Sequence, residues 1–165
     1  MAYLTSADGT SIAYQRDGSG PAVVLVGGGL DDGTENAPLA RELANHFTVY
    51  NFARRGRGDS GDTRPYAVER EIDDIAAIIG TAGGSAHLFG VSSGGMFGLE
   101  AAAAGLLVGR LAVYEVPYDT ADDAVQRRGS IARSSVRHSP KIDAPTPSPS
   151  SCAWPDHRRA TSQTP

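Results

Sequence analysis

The chain has 165 residues, of which 40% are hydrophobic and 21% are charged, and its formal net charge at pH 7 is −4. This composition predicts a soluble globular domain with a core of its own, and the negative charge argues against generic nucleic-acid binding. The apolar stretch around residues 99–108 is too short to span a bilayer. Residues 1–10 lack the pattern of a secretory signal, and the single cysteine, Cys152, has no internal disulfide partner. We therefore expect no membrane association, no nucleic-acid partner and a cytoplasmic location.

Alternating strand-like and helix-like patterns over residues 1–123 predict an α/β fold. The first two strands flank an Asp8-Gly9 hairpin signal. The third strand is continuously apolar, as expected of a strand buried on both faces, and it ends in three glycines. The predicted elements are strands at Ala2–Thr5, Ser11–Arg16 and Ala22–Val26, a helix at Glu35–His46, a strand at Phe47–Phe52, a helix at Tyr66–Ile79, a strand at Ala86–Val91, a helix at Ser93–Ala104 and a strand at Leu111–Val116. The apolar stripe of the second helix is predicted at Val68, Ile72, Ile75 and Ile79.

The composition changes abruptly near Ala124. Residues 124–165 hold six of the ten prolines, carry a net charge of +5 and contain no Leu, Phe, Tyr or Met. Such a segment cannot build a core, so we predict an Arg/Ser/Pro-rich disordered tail behind a core of residues 1–123. The switch resembles a shifted reading frame in a GC-rich gene.

The stretch HLFGVSSGG places Ser92 between a predicted strand and a predicted helix. Residues Gly90 to Gly94 match the pattern G-x-S-x-G, in which a serine on a sharp turn projects its hydroxyl above the sheet. Small residues are needed where strand and helix cross, and Gly90 and Gly94 satisfy that need. The N–H of Ser93 would be one donor to an oxyanion, and the second donor is expected from the glycine loop VGGGL. The alternative is a Gly/Ser loop that merely joins a strand to a helix.

A second glycine pattern, GRGDSG at residues 56–61, fits G-x-G-x-x-G. A dinucleotide site needs its third glycine to open a helix directly, whereas DTRPY intervenes here. A structural turn, whose charges are solvated or pair with each other, is the preferred interpretation. The histidines at 46, 87, 138 and 157 show no metal-ligand spacing, so no metal and no cofactor are expected.

Three motifs in order resemble the α/β-hydrolase superfamily: DGTSIAYQRDGSGPAVVLVGGG, YNFARRGRGDSGD and AHLFGVSSGG. The resemblance covers residues 1 to about 123. It implies a mostly parallel sheet with helices on both faces, the strand order 1-2-4-3-5-6, and a serine hydrolase acting on small esters or related acyl compounds. Ser92 would be its nucleophile, and the N–H groups of Ser93 and Gly29 would form its oxyanion hole. Family members often carry His-Gly where this chain has Gly27-Gly28, which predicts a looser loop.

Such a serine also needs a base and an orienting acid, which in this superfamily follow on later strands. The predicted tail offers Asp156-His157, but adjacent residues seldom face each other. We therefore expect the acid and the histidine to be missing and the activity to be impaired, with a non-catalytic remnant or binding module as the alternative. The sheet edge at Leu111–Val116 would then be exposed and would favour self-association.

Overall fold

A computed structural model describes residues 1–118 of the chain. Within this range the strands are β1 (Ala2–Thr5), β2 (Ser11–Asp17), β3 (Ala22–Val26), β4 (Thr48–Phe52), β5 (Ala86–Val91) and β6 (Val108–Tyr114). The helices are α1 (Ala37–Leu43), α2 (Val68–Thr81) and α3 (Ser93–Ala103). The predicted boundary between residues 123 and 124, and the predicted tail, lie outside the described residues.

The six strands form one sheet in the order β1-β2-β4-β3-β5-β6, which confirms the strand order implied by the resemblance. β4, β3, β5 and β6 run parallel to one another, while β2 pairs antiparallel with both β1 and β4. Because the carboxyl ends of parallel strands meet at one edge of a sheet, the loops after β3, β4 and β5 lie side by side. This edge is where a site is expected.

Both faces of the sheet are covered, since β3 alternates its apolar side chains between two cores. Val24 and Val26 face α2 and α3, whereas Val23 and Leu25 face α1. The larger core consists of Ile12, Val24, Val26, Tyr50, Phe52, Ile75, Ile78, Ile79, Ala86, Leu88, Phe97 and Ala101. A strand whose side chains pack into cores on both faces of the sheet must be apolar at every position. This explains the uninterrupted apolar run of β3 in the sequence.

The hairpin between β1 and β2 forms where the Asp-Gly signal predicted it. The Gly9 N–H donates to the Ser6 carbonyl oxygen at 2.9 Å, and the Ser6 N–H donates to Thr10 at 2.8 Å. Gly9 has a φ of +85°, which closes a three-residue loop of the turn-plus-bulge type. The Asp8 carboxylate accepts the Thr10 N–H at 3.0 Å, so both residues of the signal contribute.

Two helices begin later than predicted. α1 begins at Ala37 rather than Glu35, because the N–H of Glu35 and the amide of Asn36 donate to Asp31 instead. α2 begins at Val68 rather than Tyr66, because Ala67 has an extended backbone. Among residues 1–118, none of the helices is long and apolar enough to cross a membrane.

β6 was predicted at Leu111–Val116 but lies at Val108–Tyr114. It begins three residues earlier than predicted and ends two residues earlier. A short connection after α3, closed by Gly105 with a φ of +85°, brings Val108 level with Ala86 of β5. The strand ends at Tyr114 because Glu115 turns to a φ of +51°. Within the described part of the chain β6 is an edge strand, and most of its side chains are exposed.

Candidate active site

Ser92 lies at the junction of β5 and α3 in a backbone conformation that residues with a side chain rarely adopt. β5 ends at Val91 and α3 begins at Ser93, so Ser92 alone makes the turn between them. Its φ of 53° and ψ of −125° match the first central position of a type II′ turn, which is dominated by glycine. Strain of this kind costs of order 1–3 kcal/mol and concentrates at functional sites.

Gly90 and Gly94 allow the strand and the helix to approach each other closely. A Cβ on Gly90 would lie 2.6 Å from both the carbonyl oxygen of Gly94 and the Cα of Gly95. A Cβ on Gly94 would overlap the carbonyl oxygens of Val26 and Gly27 at the end of β3. These are all backbone atoms, which cannot rotate away as a side chain can. The sharp turn therefore requires a glycine on each side.

The glycine loop after β3 lies against the same turn. A Cβ on Gly28 would lie 3.6 Å from the Ser92 Cβ, and a Cβ on Gly29 would lie 3.8 Å from the Ser93 Oγ. The fold thus brings Ser92, Ser93 and Gly29 close together. The N–H of Ser93 belongs to the first turn of α3, where N–H groups have no acceptor within the helix and the helix dipole favours an anion.

Asp31 accounts for the glycine at position 27. The Asp31 carboxylate is buried and accepts hydrogen bonds of 2.7 Å from both the Gly33 N–H and the Asn36 side-chain amide. A Cβ on Gly27 would lie only 2.5 Å from the Asp31 Oδ2. The space that a histidine at position 27 would need is therefore occupied by a carboxylate that organises the loop.

Arg54 is a buried cation directly behind the glycine loop, and the sequence analysis missed its role. Its guanidinium binds Glu71 of α2 through two hydrogen bonds, of 3.0 Å from Nε and 2.6 Å from Nη2. Its Nη1 donates to the carbonyl oxygens of Gly27 and Gly28, at 3.3 and 3.0 Å, and to the Ser93 Oγ at 3.0 Å. Both charged side chains are almost fully buried. One ion pair therefore ties α2 to the loop and to the start of α3.

Arg55 and Arg57, in the same turn, bind two other parts of the fold. Arg55 is also buried, binds Asp74 of α2 through two hydrogen bonds, and reaches Asp8 at 2.8 Å. Arg57 is partly exposed, and its Nε donates to the Gly29 carbonyl oxygen at 2.6 Å. Arg55 thus fastens the β1–β2 hairpin, while Arg57 fastens the glycine loop.

The charges around Arg55 shift the pKa values of the groups that it joins. Its hydrogen bonds hold the pKa of the Asp8 carboxyl well below the ordinary value of 3.8. The hydrogen bonds to Asp74 raise the pKa of Arg55 itself. Burial raises the pKa of Asp74, although the hydrogen bonds from Arg55 oppose that shift. Asp8, Arg55 and Asp74 are thus joined by ion pairs that stabilise the turn.

The arginine-rich turn is structural, as preferred from the sequence, but its charges are arranged differently from the prediction. Arg54 and Arg55 are neither solvated nor paired within the turn, because they bind carboxylates one to two turns into α2, and Arg55 also binds Asp8 of the hairpin. Gly61 does not open a helix: its N–H donates to Ser11 of β2, and α2 begins seven residues later. The dinucleotide interpretation therefore has no support in the described geometry.

The histidines of residues 1–118 lie away from Ser92. His87 is on β5, five residues before Ser92, and an extended strand separates them by roughly 16 Å. Its ring packs edge-on against Phe47, just before β4, with 6.5 Å between the ring centroids. His46 is next to Phe47 in the chain. Both histidines thus lie toward the amino-terminal ends of the parallel strands. Asp156 and His157 lie outside the described residues.

Comparison with known proteins decides the family. The sequence profile described as "Alpha/beta hydrolase family" matches residues 22–163. The chain belongs to the alpha/beta hydrolase family. The match continues past residue 124 to residue 163, so the composition change near Ala124 is not a boundary of the match.

Similar proteins among solved structures and curated sequences agree with this assignment. An alpha/beta hydrolase from Sphaerobacter thermophilus DSM 20745 is 54% identical with a TM-score of 0.72, over 82% of this chain and 56% of that one. "Uncharacterized hydrolase YraK" of Bacillus subtilis (strain 168) is 38% identical over 96 residues, which are 56% of this chain and 35% of the relative. "Pimeloyl-[acyl-carrier protein] methyl ester esterase" of Xanthomonas campestris pv. campestris (strain B100) is 39% identical over 87 residues, which are 52% and 33% of the two chains.

The chain is similar to only part of each relative. It covers about a third of the length of the two curated relatives and 56% of the solved one. The described residues contain the turn at Ser92, the loop after β3 and the strands that carry them. Activity, substrate and partners of the whole protein are therefore matters for proposal.

Proposed function

We propose that the chain carries the nucleophile and the oxyanion hole of a serine hydrolase that acts on small esters or related acyl compounds. The observation that carries the proposal is the backbone of Ser92, whose φ of 53° and ψ of −125° place a residue with a side chain where glycine is expected. Strain of this kind persists only where the surrounding structure enforces it. Here Gly90, Gly94 and the end of β3 enforce it by close backbone packing.

In the proposed reaction, the Ser92 Oγ forms a bond to the carbonyl carbon of the ester. The electron pair of the carbonyl bond moves to its oxygen, and the N–H groups of Ser93 and Gly29 stabilise that charge. Collapse of the intermediate breaks the bond to the alcohol, which leaves with a proton, and an acyl-serine remains. Water then attacks the acyl-serine and releases the acid. The site needs no cofactor for any of these steps.

The serine proton needs an acceptor, and neither histidine of residues 1–118 lies near Ser92. We propose that turnover is slow for this reason. An oxyanion hole and substrate binding alone retain about 10³- to 10⁴-fold acceleration in enzymes that lack a triad member. If His157 completes the site despite its position beside Asp156, replacing it will abolish turnover, so His157→Ala distinguishes the two cases.

The substrate class follows from the chemistry of an activated serine and is supported by the relatives. One curated relative is named as a pimeloyl-[acyl-carrier protein] methyl ester esterase, and a methyl ester has a small alcohol as its leaving group. A small-molecule ester is accordingly the proposed substrate of this chain. The sequence evidence against nucleic-acid partners is unchanged, since the net charge is −4.

A fluorophosphonate probe tests the proposed nucleophile. The Ser92 Oγ would bond to phosphorus and fluoride would leave, so one label per chain is expected on the peptide that contains Ser92. Ser92→Ala should abolish the label, whereas Ser85→Ala, an exposed serine just before β5, should retain it. No label on the folded wild-type chain would contradict the proposal and support a non-catalytic binding module.

A further inference from the structure

Three successive carbonyl oxygens of the glycine loop accept hydrogen bonds from two arginines. Arg54 donates to the carbonyls of Gly27 and Gly28, and Arg57 donates to the carbonyl of Gly29. Glycine is the residue with the greatest backbone freedom, so a run of three would otherwise be the least ordered part of the site. The looser loop expected from the sequence is thus opposed by contacts from the arginine-rich turn after β4.

The contact with Gly28 fixes the direction of the proposed oxyanion donor. The Gly28 carbonyl and the Gly29 N–H belong to one peptide unit, and that peptide is trans. In a planar trans peptide the C=O and the N–H point in opposite directions. Because the carbonyl points at Arg54, the Gly29 N–H points away from Arg54. A guanidinium bound to the carbonyl also polarises the peptide and strengthens its N–H as a donor.

Arg54 also connects this loop to the second proposed donor. The same Nη1 that binds the Gly28 carbonyl binds the Ser93 Oγ at 3.0 Å. The guanidinium carbon lies 4.4 Å from the ring centroid of Phe97, one turn further along α3. Glu71 fixes the remaining edge of the guanidinium through two hydrogen bonds. The planar group therefore sets the spacing between the glycine loop and the start of α3.

We propose that Arg54 and Arg57 are positioning residues: Arg54 holds the Gly28–Gly29 peptide and Arg57 holds the next peptide through the Gly29 carbonyl, so that the Gly29 N–H serves as an oxyanion donor beside Ser93. This inference rests on the proposed function, because it assigns a purpose to the Gly29 N–H. Lysine cannot replace Arg54 in this role, since an ammonium group is a point donor and lacks the planar fork that binds both Glu71 and the loop.

Backbone ¹⁵N relaxation of the Gly28 and Gly29 amides tests the inference without any need for catalysis. In the wild-type chain both order parameters should be about 0.85, the value of rigid backbone, and in Arg54→Lys they should fall below about 0.6. Arg57→Ala, which alters a partly exposed side chain, should loosen the Gly29 amide and remains informative if Arg54→Lys does not fold. Arg55→Lys is the matched control: Arg55 is equally buried and binds a carboxylate of α2, but its hydrogen bonds go to Asp8, Asp74 and Arg70 rather than to the loop.

The rate constant for fluorophosphonate labelling provides the functional measurement. We expect it to fall about tenfold in Arg54→Lys and to stay within twofold of wild type in Arg55→Lys, with both variants folded. Flexible glycine amides in the wild type, or equal effects of the two lysine variants, would overturn the inference. If the wild type is not labelled at all, the proposed function fails, while the relaxation data still decide whether Arg54 orders the loop.

Discussion

Replacing Gly94 by alanine should destabilise the fold, because the added Cβ would overlap the carbonyl oxygens of Val26 and Gly27. These oxygens belong to the buried end of β3 and to the loop that follows it, so the clash is relieved only by moving α3 off the sheet. Overpacking of this kind costs about 1–3 kcal/mol. For a domain of this size, that loss lowers the melting temperature by roughly 4 °C or more.

Gly80 provides the matched control, because it also lies in a helix but its added Cβ would meet nothing within 4 Å. Alanine there removes the helix-breaking tendency of glycine and should stabilise the fold by about 0.5–1 kcal/mol. Thermal unfolding followed by circular dichroism should thus shift downward for Gly94→Ala and upward for Gly80→Ala. An unchanged melting temperature for Gly94→Ala would refute the close packing at the elbow.

Three further predictions concern the hairpin, the sheet edge and turnover. Asp8→Asn should lower the free energy of unfolding at neutral pH. Since Arg55 holds the pKa of Asp8 below 3.8, the difference from wild type should shrink as the pH falls below about 4. A difference that stays unchanged down to about pH 2 in denaturant titrations would contradict this prediction. Ala112→Lys on the exposed edge strand β6 should reduce self-association in sedimentation experiments, whereas Ala102→Lys on the exposed side of α3 should not. Equal effects of the two substitutions would contradict self-association through β6. Turnover of p-nitrophenyl acetate should be weak and insensitive to His157→Ala, and ordinary esterase rates that this substitution abolishes would make residues beyond 118 part of the active site.

The local patterns of the sequence predicted most of the fold. β3, β5 and the elbow were predicted to the residue because each is determined locally, by an apolar run or by glycines that no other residue can replace. The order of the strands came from the resemblance rather than from any pattern, since pairing joins residues far apart in the chain. The helix starts were misplaced where a distant partner intervenes, as Asp31 does before α1.

The arginine contacts show what the sequence could not reveal. The apolar stripe predicted for α2 includes Val68, which is 43% exposed, and omits Ile78, which is fully buried. The buried face is turned toward Glu71 and Asp74, which are acceptable in the interior only because Arg54 and Arg55 bind them. The available signal was a carboxylate four residues before a buried isoleucine, Glu71 before Ile75 and Asp74 before Ile78. The arginine partners lie 17 and 19 residues earlier, in the turn after β4, and had no local signature.

The central claim is that Ser92 is a nucleophile, and mapping the site of acetylation by p-nitrophenyl acetate tests it most directly. The chain has a single lysine, Lys141, so background acetylation of side-chain amines is confined to one known peptide. A short exposure followed by peptide mass spectrometry should find one acetyl group on Ser92, absent from Ser92→Ala and accumulating because deacylation is slow. Acetylation that is confined to Lys141 and the amino terminus, and is unchanged in Ser92→Ala, would contradict the claim.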